Sequence, residues 1–243
     1  RNQEGDIVTV TSTTGTAPLP LLVLGRGADP ASERGVECPG DLPPASDPGL
    51  VDRARRARDS LGDRAFVLGH HYQQDEVIAM SDLRGDSYGL SQSAADSRDC
   101  RAIAFCGVHF MAETADILAN RPAKLAERGG ERIPVILPDL AAGCSMADMA
   151  NYTAVQRAWK ELGALLDPDQ RVTPITYINS SADLKAFCGN HGGLVCTSSN
   201  AARVLEWAYK QREKVLFFPD QHLGRNTAYR MGIPLEDMAE WDF

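Results

Sequence analysis

The chain has 243 residues, 43% of them hydrophobic and 24% charged, the balance of a folded globular protein with room for one large domain or two ordinary ones. Its formal net charge of −8 argues against a nucleic-acid partner, because phosphate neutralisation needs clustered Lys and Arg. The longest apolar run, residues 17–25, is broken by Pro18 and Pro20 and falls short of the roughly 20 residues of a membrane span, and it lacks a signal-peptide cleavage context, so no membrane partner is expected.

Residues 1–50 hold seven of the 14 prolines and no aromatic residue. Such a segment cannot build a core of its own and is expected to be an extension, partly disordered or draped on the body. Cys38, in the turn-rich "RGVECPGDLPP", is expected to be incidental. From residue 51 the pattern is regular. Val51, Ala54, Ala57 and Leu61 form a helical stripe, and Ala65–Leu68 reads as a strand. Val77, Met80 and Leu83 predict a further helical stretch, interrupted at Gly85, after which Asp86 can cap a helix from Ser87 towards Ala95. Ala102–Phe105 reads as a strand, Met111–Leu118 as a helix and Val135–Leu137 as a strand. That is β-α-β-α-β, a three-stranded parallel layer over residues 51–150.

The order then repeats over residues 151–243. Val155, Trp159, Leu162 and Leu166 form a helix stripe leading to a strand at Val172–Ile178. A helix over Ala182–Phe187, a strand at Leu194–Cys196, a helix over Asn200–Lys210 and a strand at Val215–Phe218 complete a second layer. "PDLAAG" at 138–143 echoes "PDQHLG" at 219–224, consistent with two similar α/β units.

The six cysteines, Cys38, Cys100, Cys106, Cys144, Cys188 and Cys196, show no CxxC pairing and no dense framework. A disulfide scaffold is therefore not expected, and a reducing cytoplasm is. Thiols on apolar strands are ordinary core filler. Cys144 differs, because it stands at a strand-to-helix turn in "LPDLAAGCSMADM". Alone it is either core filler or a ligand whose partners lie far away in the chain.

In open parallel sheets ligands bind beyond the carboxyl ends of the strands. Those ends read "GHHYQ", "FCGVHF", "LPDLAAGCS", "YINSS", "CTSSN" and "FPDQHLGR", rich in His, Tyr, Ser, Asn and Cys. Adjacent residues on an extended chain point to opposite faces, so His70 and His71 cannot readily serve one metal ion; hydrogen bonding or acid–base work by one His with Tyr72 fits better. Otherwise they are two exposed loop histidines. Ser87 opens a capped helix, where its hydroxyl could hold a carboxylate or phosphate or simply cap. Tyr177 and Asn179 share a face by period two and can reach one ligand. Ser198 and Ser199 open another helix. His109 and His222 are read as structural. A P-loop, a GxGxxG turn, a GxSxG elbow and an HExxH helix are absent, which removes the usual support for nucleotide, serine-hydrolase and zinc-protease chemistry.

Taken together, "VLGHHYQQDEV", "GDSYGLS", "FCGVHFMAETADIL", "LPDLAAGCSMADM", "TYINSSADLKAFC", "CTSSNA" and "FPDQHLGRNTA" resemble the quinolinate synthase family over roughly residues 64–232. The resemblance implies three similar α/β layers about a pseudo-threefold axis with a central active site. It implies a [4Fe–4S] cluster held by three cysteines, one per layer, of which Cys144 is the first. It also implies condensation of iminoaspartate with dihydroxyacetone phosphate to quinolinate in de novo NAD biosynthesis, with an L-aspartate oxidase as a functional partner. His70 and Tyr72 are implied as catalytic, and His70, Ser87, Tyr177, Asn179 and Ser198 as substrate-binding. Three thiolates would leave one iron free to act as a Lewis acid on a substrate oxygen. The second and third cluster cysteines and the whole third layer are expected to be missing from residues 1–243. The chain alone is then expected to be inactive, and the alternative is a non-catalytic two-layer anion-binding module.

Overall fold

The computed structural model describes residues 47–97, 99–139 and 142–241, with the backbones of Pro20–Leu24 and Gly35–Glu37. Cys38 and the remainder of residues 1–46 lie outside the described residues. In chain order the first half contains β1 (Pro20–Leu24), β2 (Gly35–Glu37), α1 (Leu50–Leu61), β3 (Ala65–His70), α2 (Asp75–Ile78), β4 (Leu83–Gly85), α3 (Ser87–Asp96), β5 (Ala102–Cys106), α4 (His109–Ala119), α5 (Pro122–Glu127) and β6 (Val135–Leu137). The second half contains α6 (Tyr152–Leu162), α7 (Pro168–Arg171), β7 (Val172–Tyr177), α8 (Ala182–Asn190), β8 (Leu194–Cys196), α9 (Ala201–Gln211), β9 (Lys214–Phe218) and α10 (Gln221–Arg230). None of the described helices is long and apolar enough to cross a membrane.

The protein is α/β, with two separate sheets. The first has the order β2-β1-β6-β5-β3-β4 and the second β8-β7-β9. Strands β6, β5, β3 and β4 run parallel, as do β8, β7 and β9. Two features depart from the expected three-stranded first layer. Leu83 belongs to a fourth parallel strand, not to a helix, and α2 is only a single turn. The reason lies at Asp82, whose amide donates to Val67 O at 2.8 Å and whose carboxylate accepts from Val67 N at 2.7 Å, pinning this segment beside β3. The second departure is in the proline-rich extension: β1 pairs antiparallel with β6, Leu22 opposite Leu137, and with β2 on its other side.

The first core is built from Leu68, Ile103, Phe105, Val135 and Leu137 on the strands, against Leu90 and Ala94 of α3 and Phe110, Ala112 and Ala115 of α4. The expected stripe on α1 is not buried: Val51 and Ala54 are partly covered, Ala57 is exposed and Leu61 is 45% exposed, and four arginines keep the helix at the surface. The second sheet is covered on both faces, as alternation along its strands requires. Val172 and Phe218 pack with Trp159, Leu184, Phe187 and Cys188 on the α6–α8 side. Ile175 and Phe217 pack with Ala201, Ala208 and Trp207 on the α9 side.

Strand order also bears on the internal echo. In both sheets the second strand of the layer lies on one side of the first and the third on the other, β4-β3-β5 and β8-β7-β9. By this order β9 corresponds to β5, whereas "PDLAAG" and "PDQHLG" follow β6 and β9. The echo therefore joins positions that are not topologically equivalent.

Candidate active site

His70 is the last residue of β3, in register with Gly85 of β4, and is 8% exposed. The strand stops there because the chain turns: Gln73 N donates to His70 O at 2.9 Å, and His71 returns to Gly85 O through its backbone N–H at 3.1 Å and its Nδ1 at 2.9 Å. The turn overrides the expectation that the two imidazoles diverge. Their ring centroids are 4.5 Å apart, and Tyr72 stands edge-on to both, 4.8 Å from His70 and 4.4 Å from His71. Burial, reinforced by His71 and opposed by Asp86, lowers the His70 pKa below the usual histidine value, so the ring is held neutral and able to accept a proton. Tyr72 is 83% exposed and presents its phenol to whatever enters.

Ser87 is the first residue of α3, and the expected cap is present: Asp86 Oδ1 accepts from Tyr88 N at 2.9 Å and Gly89 N at 2.8 Å. Since the Asp86 carboxylate fills this helix end, Ser87 is left with a free choice of hydroxyl partner at the rim. His70, His71, Tyr72, Asp86 and Ser87 thus form one group beyond β3 and β4.

The second group gathers around Cys144. Tyr177 ends β7, and Ile178 N donates to Cys196 O at 2.8 Å, which carries Asn179 just past the strand end. Asn179 Nδ2 lies 3.9 Å from both Cys144 Sγ and Met146 Sδ, across the boundary between the two sheets. Burial raises the Tyr177 pKa; a hydrogen bond with Ser198 works against the rise, while Cys196, Asp220 and Cys144 add to it. The phenol is therefore a hydrogen-bond donor at neutral pH. Ser198 lies in a turn, not at a helix start as expected: α9 begins at Ala201, because Asn200 Oδ1 turns back to accept from Thr197 N at 2.7 Å. The segment after β6 is likewise a single 3-10 turn, Ala147–Met149, before α6. No hydrogen bond, ion pair or ring contact among the described residues joins His70, Tyr72 or Ser87 to this second group.

Beside Cys144 the two layers leave a cavity of about 270 Å³, lined also by His109, Asp148, Asn151, Ser181 and Asp183. None of the other expected site residues lines it, so it flanks the strand-end cluster. Two nearby carboxylates escaped the sequence reading. Asp220 faces Tyr177 and caps α10 through Leu223 N at 2.8 Å; the "PD" shared by both strand ends was its available signal. Glu113 reaches the second layer from α4, and nothing local in "HFMAETADIL" marks it.

The description "quinolinate synthetase A protein" matches residues 52–242. The chain belongs to the quinolinate synthetase A family. It is 61% identical to the quinolinate synthase of Nocardioides sp. over 93% of this chain and 56% of the relative. Identity to that of Streptomyces coelicolor is 60%, covering 93% and 55%, and to that of Rhodopirellula baltica 62%, covering 79% and 49%. The chain thus spans about half the length of the curated relatives it matches.

The donor set can be tested against a three-thiolate iron–sulfur cluster. Among the described residues no three His, Cys, Asp or Glu side chains converge as a metal site. Cys188 and Cys196 are wholly buried in the second sheet's cores, where burial pushes both thiols upward, Cys196 to about 12. Cys100 is buried behind the first sheet, its Sγ 3.0 Å from Ser97 Oγ. Burial also raises the Cys106 thiol at the end of β5. Cys100, Cys188 and Cys196 are closed off within packed cores. Cys144 is the described cysteine whose Sγ meets a strand-end side chain of the other layer, and the described residues do not complete a cluster around it.

Proposed function

We propose that this chain supplies the first two α/β layers of a cytoplasmic quinolinate synthase, which condenses iminoaspartate with dihydroxyacetone phosphate to form quinolinate in NAD biosynthesis, the iminoaspartate coming from an L-aspartate oxidase. The observation that carries the reading is the approach of Asn179 to Cys144: strand ends from two separate sheets meet at one place, beside a tyrosine held protonated. In this reading Cys144 contributes one ligand of a [4Fe–4S] cluster whose remaining ligands are not among the described residues. The steps assigned to this chain are therefore binding and proton handling.

His70, kept neutral by burial, is the proton acceptor for enolisation of the triose, with Tyr72 covering the ring and offering a phenolic proton. Ser87 binds a phosphate or carboxylate oxygen at the rim of the first layer. Tyr177, Asn179 and Ser198 donate to substrate oxygens on the second, where charge develops during condensation and water loss.

The test is a transplant. Residues 52–232 replace the matching segment of the Nocardioides relative, and quinolinate formation is measured without oxygen. An active transplant is expected, with Tyr177→Phe and Asn179→Ala each lowering kcat by about 100-fold or more while iron content is retained. An inactive transplant that folds and holds its iron would reject the activity for this chain. Full activity in either variant would remove that residue from the site.

A further inference from the structure

Glu113 is a buried carboxylate, 8% exposed, on the second turn of α4 in the first layer. Its Oε2 accepts from Ala182 N at 2.9 Å, a contact between residues 69 positions apart, and lies 3.8 Å from His109 Nδ1 on its own helix. Ala182 is the first residue of α8, nine residues long and in the second layer. The early N–H groups of a helix have no partner within it and sit at its positive end, so a carboxylate there is both a hydrogen-bond acceptor and a favourable charge. A helix usually draws this cap from its own N-cap side chain, as α3, α6 and α10 do from Asp86, Asn151 and Asp220. At α8 the N-cap residue Ser181 does not cap; its hydroxyl donates to Asp183 instead. The cap comes from the other layer.

One turn further along, the seam is repeated. Lys185 of α8 lies with Nζ 5.5 Å over the ring of Phe110, one turn before Glu113 on α4, and donates to Ser180 O in the loop that carries Asn179. Residues three apart share a helix face, so Phe110 and Glu113 on α4 meet Ala182 and Lys185 on α8 as a matched pair of rows. The loop between β7 and α8 is short, and Asn179 sits in it, 3.9 Å from Cys144.

We propose that Glu113 is a positioning residue: from the first layer it caps α8 of the second, and so holds Asn179 against Cys144. The inference rests on reading Cys144 and Asn179 as parts of one site, but its test makes no use of the activity. The 243-residue chain, kept reduced and with chelator present, is exposed to a thiol-alkylating reagent, and the labelling rate of each cysteine is followed by peptide mass. Glu113→Ala should raise the rate at Cys144 about fivefold, the size of a lost cap, while buried Cys100, Cys188 and Cys196 keep their rates. Glu113→Gln keeps an acceptor oxygen at the same reach and should restore most of the protection. Ala182→Pro removes only the donor, at a position where helices tolerate proline, and should also raise the Cys144 rate, with the double variant no faster than Glu113→Ala alone. Should Glu113→Ala not fold, Ala182→Pro carries the test alone. Unchanged Cys144 labelling in Ala182→Pro, or a parallel rise at all four cysteines, would overturn the proposal; the first removes the coupling and the second makes the contact one of general stability.

Discussion

Asp82 and Val67 exchange two hydrogen bonds, one through the Asp82 amide and one through its carboxylate, and this pair fastens β4 to the sheet. The other carboxylate oxygen receives Arg58 from α1, so a single side chain ties helix, strand and edge strand together. Asp82→Ala leaves Val67 N without its acceptor in a half-buried place. It should lower unfolding stability by about 2 kcal/mol, read from urea titration. Asp82→Asn, which keeps one acceptor oxygen, should lose less.

Two glycines of the second layer should respond in opposite directions. A Cβ on Gly193 would fall 1.8 Å from Pro174 O, a backbone atom that cannot step aside. Gly193→Ala should cost about 3 kcal/mol or prevent folding. Gly189 lies exposed within α8 and a Cβ there meets nothing within 4 Å. Gly189→Ala should raise stability by about 0.5–1 kcal/mol. Thermal unfolding of both variants checks the pair.

Lys185 should leave a mark on the pH profile. Burial brings its pKa down from the usual 10.5 to about 8, against the opposing pull of Glu113, Asp183 and Cys188. Between those two values the unfolded chain holds a proton that the folded chain has released. The contribution of Lys185 to stability therefore increases with pH through that window, and below it the folded state carries the full cost of a desolvated ammonium. Cys188 and Cys196 pull the other way at high pH, since their folded thiols ionise later than unfolded ones. The difference between wild type and Lys185→Met isolates the lysine: the variant should gain most in relative stability near pH 7 and lose that advantage towards pH 10. Denaturant titrations at three pH values suffice to see it.

Iron loading supplies a further check. With one suitable thiolate at the strand ends and the other described cysteines buried or displaced, residues 1–243 reconstituted anaerobically with iron and sulfide should remain colourless. A brown protein with stoichiometric iron would require ligands that the described residues do not supply.

Much of this architecture is legible in the residues. Val135–Leu137 and Leu194–Cys196 are short apolar runs between turns, and they are strands as read. Asp86 caps α3 as its position before Ser87 predicts. Leu83 was misleading because Val77, Met80 and Leu83 span barely two turns, too few residues for periodicity to separate a helix from a turn followed by a strand. The antiparallel β1 was hidden by composition: a proline-rich segment can still lend a few backbone groups to a sheet edge. In the site, the strand-end chemistry of His70, Tyr177 and Asn179 follows from topology. Their mutual distances do not, because they depend on how two layers dock. The Glu113–Ala182 contact is the clearest case, made by residues with no local pattern between them.

Among the described residues β9 has a neighbour on one side only, β7, and its sequence Lys214–Phe218 is "KVLFF". Its outer backbone groups are a template for another strand, with one lysine as the only charge to discourage it. For the biochemist this sets the working conditions. Light scattering should grow with concentration and with ionic strength, as screening weakens the repulsion between chains of net charge −8. Colloidal behaviour, rather than unfolding, is therefore the quantity to watch during storage.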